Sequence, residues 1–136
     1  MPRYQVLDHT ADIRLRIFAR TRRELFQNGV WAVMNTITDA RQIQKKQSRQ
    51  LVVRGETLEE LFLRLLKEVL YLFDTRHFLI RSLEVKENRD TLLRGVVWGE
   101  PLKGHCLKTE IKAVTYHRLS IKKVRGRWVA EVVIDV

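Results

Sequence analysis

The sequence predicts an α+β fold, a two-layer sandwich in which two main helices pack on one face of a mostly antiparallel sheet. Three observations lead to this prediction. Apolar and largely charged residues alternate from Ile13 to Arg20, which is the period of a half-buried strand. Two helical segments start at Thr21 and Thr57, and each follows a strand-like run. After about residue 78 only strand-like segments remain, which separates helices from strands along the chain.

Both helical segments begin with the pattern Thr-x-x-Glu-Leu-Phe, which is typical of a capping box. The threonine hydroxyl is expected to accept from the amide three residues on, while Glu24 or Glu60 reaches back to the threonine amide. The second segment carries apolar residues three and four positions apart, at Leu58, Leu61, Phe62, Leu65, Leu66, Val69 and Phe73. The repeated strand and helix order indicates a degenerate duplication, although a coincidence of common motifs explains it too.

Four further strand-like segments begin at Phe78, Thr91, Glu110 and Arg127. A polar turn near residues 88–90 separates the first two, and the last two are predicted to form a hairpin around Arg125-Gly126. The segment 99–109 between them is predicted to be irregular or a short helix. We find no linker and no low-complexity tract, so residues 1–136 are predicted to form a single domain.

The charge of the chain is strongly unbalanced. It has 26 Lys and Arg against 16 Asp and Glu, a formal net charge of +10, and this favours nucleic acid, an anionic surface or an acidic partner. Basic residues concentrate in segments 41–49 and 117–127, although either segment alone is explained by a solvated surface. No apolar run is long enough for a signal peptide or a membrane helix, so we expect a cytoplasmic protein.

No strong catalytic motif is evident in the sequence. The glycines of GVVWGEPLKG lack the spacing and context of a dinucleotide site. His105 and Cys106 are adjacent, so on a strand they would point to opposite faces and form a poor base and nucleophile pair. Cys106 is the only cysteine, which excludes an internal disulfide and a zinc site with two thiolates. We expect Cys106 to be a small buried residue.

Two aspartates are better candidates for a site. Asp12 begins the first predicted strand, and Asp135 is the penultimate residue of the last. A buried carboxylate without a partner costs several kcal/mol, so each needs a cation, a helix N-terminus or a metal. If the two meet across neighbouring strands, their repulsion favours a cation between them, and oxygen ligands select Mg²⁺, Ca²⁺ or Mn²⁺. A metal site and a salt bridge explain the pair equally well. His9 could extend a metal site, but a hydrogen-bonded turn residue explains it more simply.

Lys112 is a second candidate, in the segment EIKAVTYH. On a strand it would share one face with Glu110, Val114 and Tyr116. A lysine there can bind a phosphate, pair with an acid such as Asp12, or extend to solvent, and the last is the default for one lysine.

Several motifs together resemble the archease family. In chain order they are LDHTADI, T-x-x-ELF, LYLFDT, GEPL, EIKAVTYH and W-x-A-x-V-x-IDV, from the first motif to Val136. The resemblance implies a small, non-catalytic helper of the RtcB-type tRNA-splicing ligase. Such a helper promotes GTP- and Mn²⁺-dependent guanylylation of the ligase and its multiple turnover.

The resemblance also implies functional residues. A divalent metal ion (Ca, Mg or Mn) would bind to Asp12, Asp135 and the terminal Val136. Lys112 would be the family's important lysine, and Asp8 and His9 would shape the loop that holds the metal. Three positions depart from the family pattern as we expect it: arginine stands for glycine at 14 and 20, and lysine for aspartate at 103.

Two other functions stay open at this point. The first is a basic RNA-binding module that recruits tRNA halves, which the net charge favours and which predicts salt-sensitive tRNA binding. The aromatic residues on which single-strand binders stack bases are not evident. The second is a small metal-dependent hydrolase that uses Asp12, Asp135 and His9, for which no second metal shell or general base is evident.

Overall fold

Two antiparallel sheets and two helices share one core in the computed structural model, which describes residues 2–9 and 12–136 and only the backbone of Asp8 and His9. Within these residues the strands are β1 (Tyr4–His9), β2 (Asp12–Ala19), β3 (Gln47–Arg54), β4 (Phe78–Asn88), β5 (Leu92–Pro101), β6 (Ala113–Val124) and β7 (Arg127–Asp135). The helices are α1 (Arg22–Ile37) and α2 (Leu58–Arg76), and a 3₁₀ helix covers Ala40–Gln42. The first sheet has the order β1-β2-β7-β6 and the second β3-β5-β4. The predicted α+β class is confirmed.

The strands form two sheets where the sequence predicted one. The reason lies in the helices, because each contacts both sheets: α1 packs on β2 and β4, and α2 packs on β6, β3 and β4. Helix α1 is therefore buried over much of its circumference, at Leu25, Phe26, Gly29, Val30, Ala32, Val33, Met34 and Ile37. A single cluster of buried apolar side chains draws on both sheets and both helices.

The predicted helix caps are confirmed, with one difference. Thr21 and Thr57 have nearly identical backbone angles, and each hydroxyl accepts from the amide three residues on at 3.1 Å. The glutamates do not reach back as the capping box requires. Glu24 accepts instead from the amide of Arg20 at 3.3 Å, and Glu60 pairs with Arg64 at 2.8 Å. Each threonine alone satisfies a free amide of the first turn.

The later hairpins follow the sequence prediction closely. Strands β4 and β5 pair around residues 89–91, and β6 and β7 pair around Arg125-Gly126. Both residues of that turn have positive φ, 51° and 78°, as a two-residue type I′ turn requires. Strand β1 was not predicted. Strand β5 continues to Pro101, within the segment predicted to be irregular or helical.

Two expectations for single residues are wrong. Cys106 is exposed rather than buried, because it lies in the loop before β6 and contributes its carbonyl, not its thiol, to the structure. Strand β6 begins at Ala113 rather than Glu110, so Lys112 precedes the strand. No helix in the described ranges has the length and apolar character that crossing a membrane requires.

Candidate metal and partner site at one end of the first sheet

Three strand ends of the first sheet come together at the candidate site. Strand β2 begins at Asp12 and β7 ends at Asp135, and their antiparallel register places these two residues directly opposite each other. On the other side of β7, Ala113 at the start of β6 is opposite Asp135. The register of β2 and β7 is unbroken from this pair to Ala19 and Trp128, so the regular alternation of both strands fixes the juxtaposition.

The two aspartates lie on the outer face of the sheet. Their neighbours Ile13 and Ile134 are buried in the core, and successive strand residues point to opposite faces. Further along the same face, Arg14 and Arg16 both pair with Glu131, at 3.1 and 3.6 Å. Within the described residues no lysine or arginine pairs with the carboxylate of either aspartate. Asp12 is exposed and Asp135 is half-buried, so water reaches both carboxylates and the burial expected for them from the sequence is not found.

The donors at this end are oxygens. They are the carboxylate oxygens of Asp12 and Asp135, and the side chain of Val136, the third predicted ligand residue, packs against the core. Hard oxygen donors of this kind suit Ca²⁺, Mg²⁺ or Mn²⁺. Among the side chains that the structure describes, no group of three or more His, Cys, Asp or Glu is placed to hold a metal. The side chains of Asp8 and His9, with their predicted role in the loop, lie outside the described residues.

Lys112 is exposed and lies beside this end of the sheet. Its backbone N–H donates to the carbonyl oxygen of Asp135 at 2.8 Å, which fixes the position of its Cα. Its side chain lines a groove of about 290 Å³ between β6 and α2, together with Lys67, Tyr71 and Asp74. Lys112 does not share a strand face with Glu110 and Tyr116 as predicted, because β6 starts at Ala113, one residue after Lys112.

The groove contains α2 residues that the sequence reasoning did not single out as site residues. Lys67, Tyr71 and Asp74 are spaced four and three apart, so they share one exposed helix face. Tyr71 and Asp74 belong to the motif LYLFDT, and this motif was the feature of the sequence from which they could have been identified as site residues. Tyr116 also reaches α2, since the Lys67 Nζ lies 5.4 Å from the centroid of its ring. The motifs LYLFDT, KAVTYH and IDV therefore meet at one end of the molecule.

The loop that leads to Lys112 is irregular but held by backbone hydrogen bonds. The Leu102 N–H donates to the His77 carbonyl at 2.7 Å, and the Lys108 N–H donates to the Ile37 carbonyl at 2.7 Å. The hydroxyl of Thr38, a buried residue, donates to the Cys106 carbonyl at 2.7 Å. These contacts hold the loop before Lys112 although it contains no helix or strand. An alternating sequence pattern therefore could not predict where Lys112 lies.

Glu100 supports the same loop from within. Its carboxylate accepts from the Gln44 N–H at 2.7 Å and from His105 Nε2 at 3.0 Å, and Lys46 Nζ lies 3.5 Å away. His105 Nδ1 accepts from the Lys103 N–H at 3.0 Å, so its proton is on Nε2 and points to Glu100. The Gln44 N–H, chiefly, holds the pKa of the Glu100 carboxyl below its ordinary value, against the opposing effect of burial.

Replacing Glu100 with glutamine is expected to destabilise the protein by about 1–3 kcal/mol at pH 7, because an amide N–H₂ would then face other donors. The pH dependence follows from the lowered pKa of Glu100. The contribution of the Glu100 carboxylate to stability is fully present above the ordinary pKa of about 4.5, and it is lost as the pH falls through the lower pKa of the folded protein. Urea unfolding should therefore show that the free energy of unfolding of wild type exceeds that of Glu100→Gln by less at pH 3 than at pH 7. An equal difference at both pH values would contradict the stabilising role of the Glu100 carboxylate.

The fold belongs to a class of small α+β domains with known structures. The solution structure of protein 1598 from Methanobacterium thermoautotrophicum matches with a TM-score of 0.84 and 29% identity, over 100% of both chains. The crystal structure of an archease, described as a possible chaperone, from Thermotoga maritima matches with a TM-score of 0.66. At 21% identity, over 97% of this chain and 96% of that one, it supports the fold alone.

The sequence comparisons then give the family. The model of the archease protein family matches residues 4–136. The archease of Methanosarcina barkeri is 37% identical, over 98% of this chain and 95% of that protein. The archease of Pyrococcus furiosus is 37% identical over 100% of both. The chain belongs to the archease family.

Proposed function

We propose that this protein is a non-catalytic, cytoplasmic helper of an RtcB-type RNA ligase in tRNA splicing and RNA repair. It promotes the GTP- and Mn²⁺-dependent guanylylation of the ligase and its multiple turnover. The observation that carries the proposal is the pair Asp12 and Asp135, opposite each other without a basic partner among the described residues. Membership of the archease family supports it.

The chemistry of the site suits the positioning of a shared cation. Asp12, Asp135 and the end of the chain at Val136 would hold a divalent ion (Ca, Mg or Mn), which stabilises charge on phosphoryl oxygens when bound. Such ions take six or more oxygen ligands, so two or three residues leave positions for water or for groups of a partner. An incomplete ligand set fits a helper that presents a metal better than a self-sufficient hydrolase.

Lys112 supplies the second part of the proposed mechanism. It is exposed, and its backbone is bonded to Asp135, so a phosphate group near the metal lies within the field of its ammonium group. The ammonium acts there as a compact positive charge toward a nucleotide phosphate held by the ligase. The groove beside it, with Tyr71 and Asp74, provides surface for contact with that partner.

The test is single-turnover guanylylation of an RtcB-type ligase in GTP and Mn²⁺, with and without this protein. Wild type should accelerate the step by about tenfold or more, which corresponds to 1.4 kcal/mol of barrier. Lys112→Met should lose most of the acceleration, whereas Lys108→Met, an exposed lysine of the same loop, should keep it. No acceleration by wild type would refute the helper role, and equal loss in both variants would refute the role of Lys112.

A further inference from the structure

An arginine-lined channel lies at the opposite end of the first sheet from the aspartates. Strand β2 ends at Ala19 and β7 begins at Arg127, and a cavity of about 390 Å³ opens beside them. Its lining includes Arg3, Arg20 and Arg127, which come from three separate segments of the chain. Nothing in the proposed helper mechanism uses this end of the molecule.

A second depression lies beside the first, along α1. It has a volume of about 200 Å³ and is lined by Arg3, Asn28, Trp31 and Arg81, among others. Arg3 and Asn28 line both depressions, so the two are adjacent. We call the two adjacent depressions together the arginine channel, and its four guanidinium groups belong to Arg3, Arg20, Arg81 and Arg127.

Trp31 orients two of these arginines. The guanidinium carbon of Arg3 lies 4.0 Å from the centroid of the Trp31 ring, and that of Arg81 lies 5.1 Å from it. A guanidinium stacked on an aromatic ring uses its face and keeps its N–H donors in its own plane. Those donors match two oxygens of one phosphate, so stacking prepares both side chains for bidentate binding.

The charge of the channel is strongly positive. Glu24 is the one acidic residue among the linings of the two depressions, against four arginines. Its carboxylate accepts from the backbone amide of Arg20 at 3.3 Å. The floor is rigid, since the Asn28 side chain donates to the Phe18 carbonyl at 2.7 Å. The channel thus brings together four guanidinium groups, two of them held against Trp31, which suits several phosphates better than one small anion.

We propose that the arginine channel binds the phosphodiester backbone of RNA. The four arginines around the two adjacent depressions and the net charge of +10 indicate a polyanion, and the choice of RNA rests on the proposed function, because the ligase acts on RNA. Strand β2 has eight residues, so about 25 Å separates the channel from the aspartates. The protein can therefore hold RNA at one end while the other end faces the ligase.

The experiment measures binding of a fluorescein-labelled 20-nucleotide oligouridylate to the whole protein without ligase, by anisotropy, across a series of NaCl concentrations. The channel variant is Arg20→Gln/Arg127→Gln. The control variant is Lys45→Gln/Arg76→Gln, which removes the same charge from exposed positions that line neither depression. The channel variant should bind about tenfold more weakly. Its plot of log affinity against log salt should become shallower, with a slope smaller in magnitude by about 1.4. The control should change both quantities far less.

Equal weakening in the two double variants would overturn the proposal, because only overall charge would then matter. No binding of RNA by wild type would overturn it too, including the case in which inorganic triphosphate binds instead. If circular dichroism shows that the channel variant is unfolded, Arg81→Gln in the second depression replaces it. If wild type stimulates the ligase but does not bind RNA, the channel alone is refuted. If wild type binds RNA through the channel but does not stimulate the ligase, the helper function alone is refuted.

Discussion

Replacing Asp12 with asparagine is expected to abolish the stabilisation of this protein by Mn²⁺ and to remove most of its stimulation of ligase guanylylation. Asparagine keeps the size of the side chain but removes one of two opposed charges. Without metal, the variant should be at least as stable as wild type, because like charges directly opposite on paired strands repel. A metal at 100 times its Kd stabilises the folded protein by about 2.7 kcal/mol, and this gain should vanish.

The measurement is thermal unfolding with and without Mn²⁺, together with the guanylylation assay. Asp135→Asn should behave like Asp12→Asn, since both residues are proposed ligands of one metal ion. Glu56→Gln, which neutralises an exposed carboxylate elsewhere, should keep the metal response of wild type. A folded Asp12→Asn protein with an unchanged Mn²⁺ response would refute the metal site, and one that stimulates the ligase normally would refute its functional role.

The largest loss of stability is expected from Gly99→Ala in β5. A Cβ at this position would overlap the carbonyl oxygen of Leu79 and would lie 3.0 Å from the Cα of Ile80. Both are backbone atoms of β4, and on the other side the Lys46 N–H donates to the Gly99 carbonyl at 3.0 Å. The strand is thus held from both sides and cannot move away, so we expect a loss of about 3 kcal/mol or more.

Gly126→Ala is the matched comparison for this prediction, measured by urea unfolding. Gly126 has a φ of 78° and open space around its Cα, so alanine there pays only the left-handed backbone penalty of about 1–2 kcal/mol. At Gly99 the backbone φ is not in the left-handed region, but backbone atoms of β4 occupy the space that a Cβ would need. If the two variants lost the same stability, close approach of β4 and β5 would not be the reason for glycine at position 99.

The sequence was sufficient where local pattern determines structure. The alternation of apolar and charged residues predicted β2, the threonine caps predicted the starts of both helices, and Arg125-Gly126 predicted the last turn. It was insufficient for the division into two sheets, because strand pairing depends on how the helices pack between them. Strand β1 was missed, and part of it lies next to residues that the structure does not describe.

The same distinction applies to the sites. Asp12 and Asp135 could be paired in advance because each stands at the end of a regular strand. The placement of Lys112 depends on an irregular loop held by distant carbonyls, and the arginine channel gathers side chains from four separate segments. No periodicity in the sequence relates such residues, so their proximity was visible only in the folded chain.

The hydrogen bond from the Lys112 amide to the Asp135 carbonyl has a thermodynamic consequence. A cation bound to Asp135 and a phosphate bound to Lys112 would act on two backbone segments that this hydrogen bond joins. If either ligand shifts that backbone toward its bound geometry, the affinities of the two become linked, and linkage is reciprocal. Any factor by which the metal tightens phosphate binding is then the factor by which phosphate tightens metal binding. If the coupling is favourable, the protein would hold a cation more tightly in the presence of the phosphate than alone.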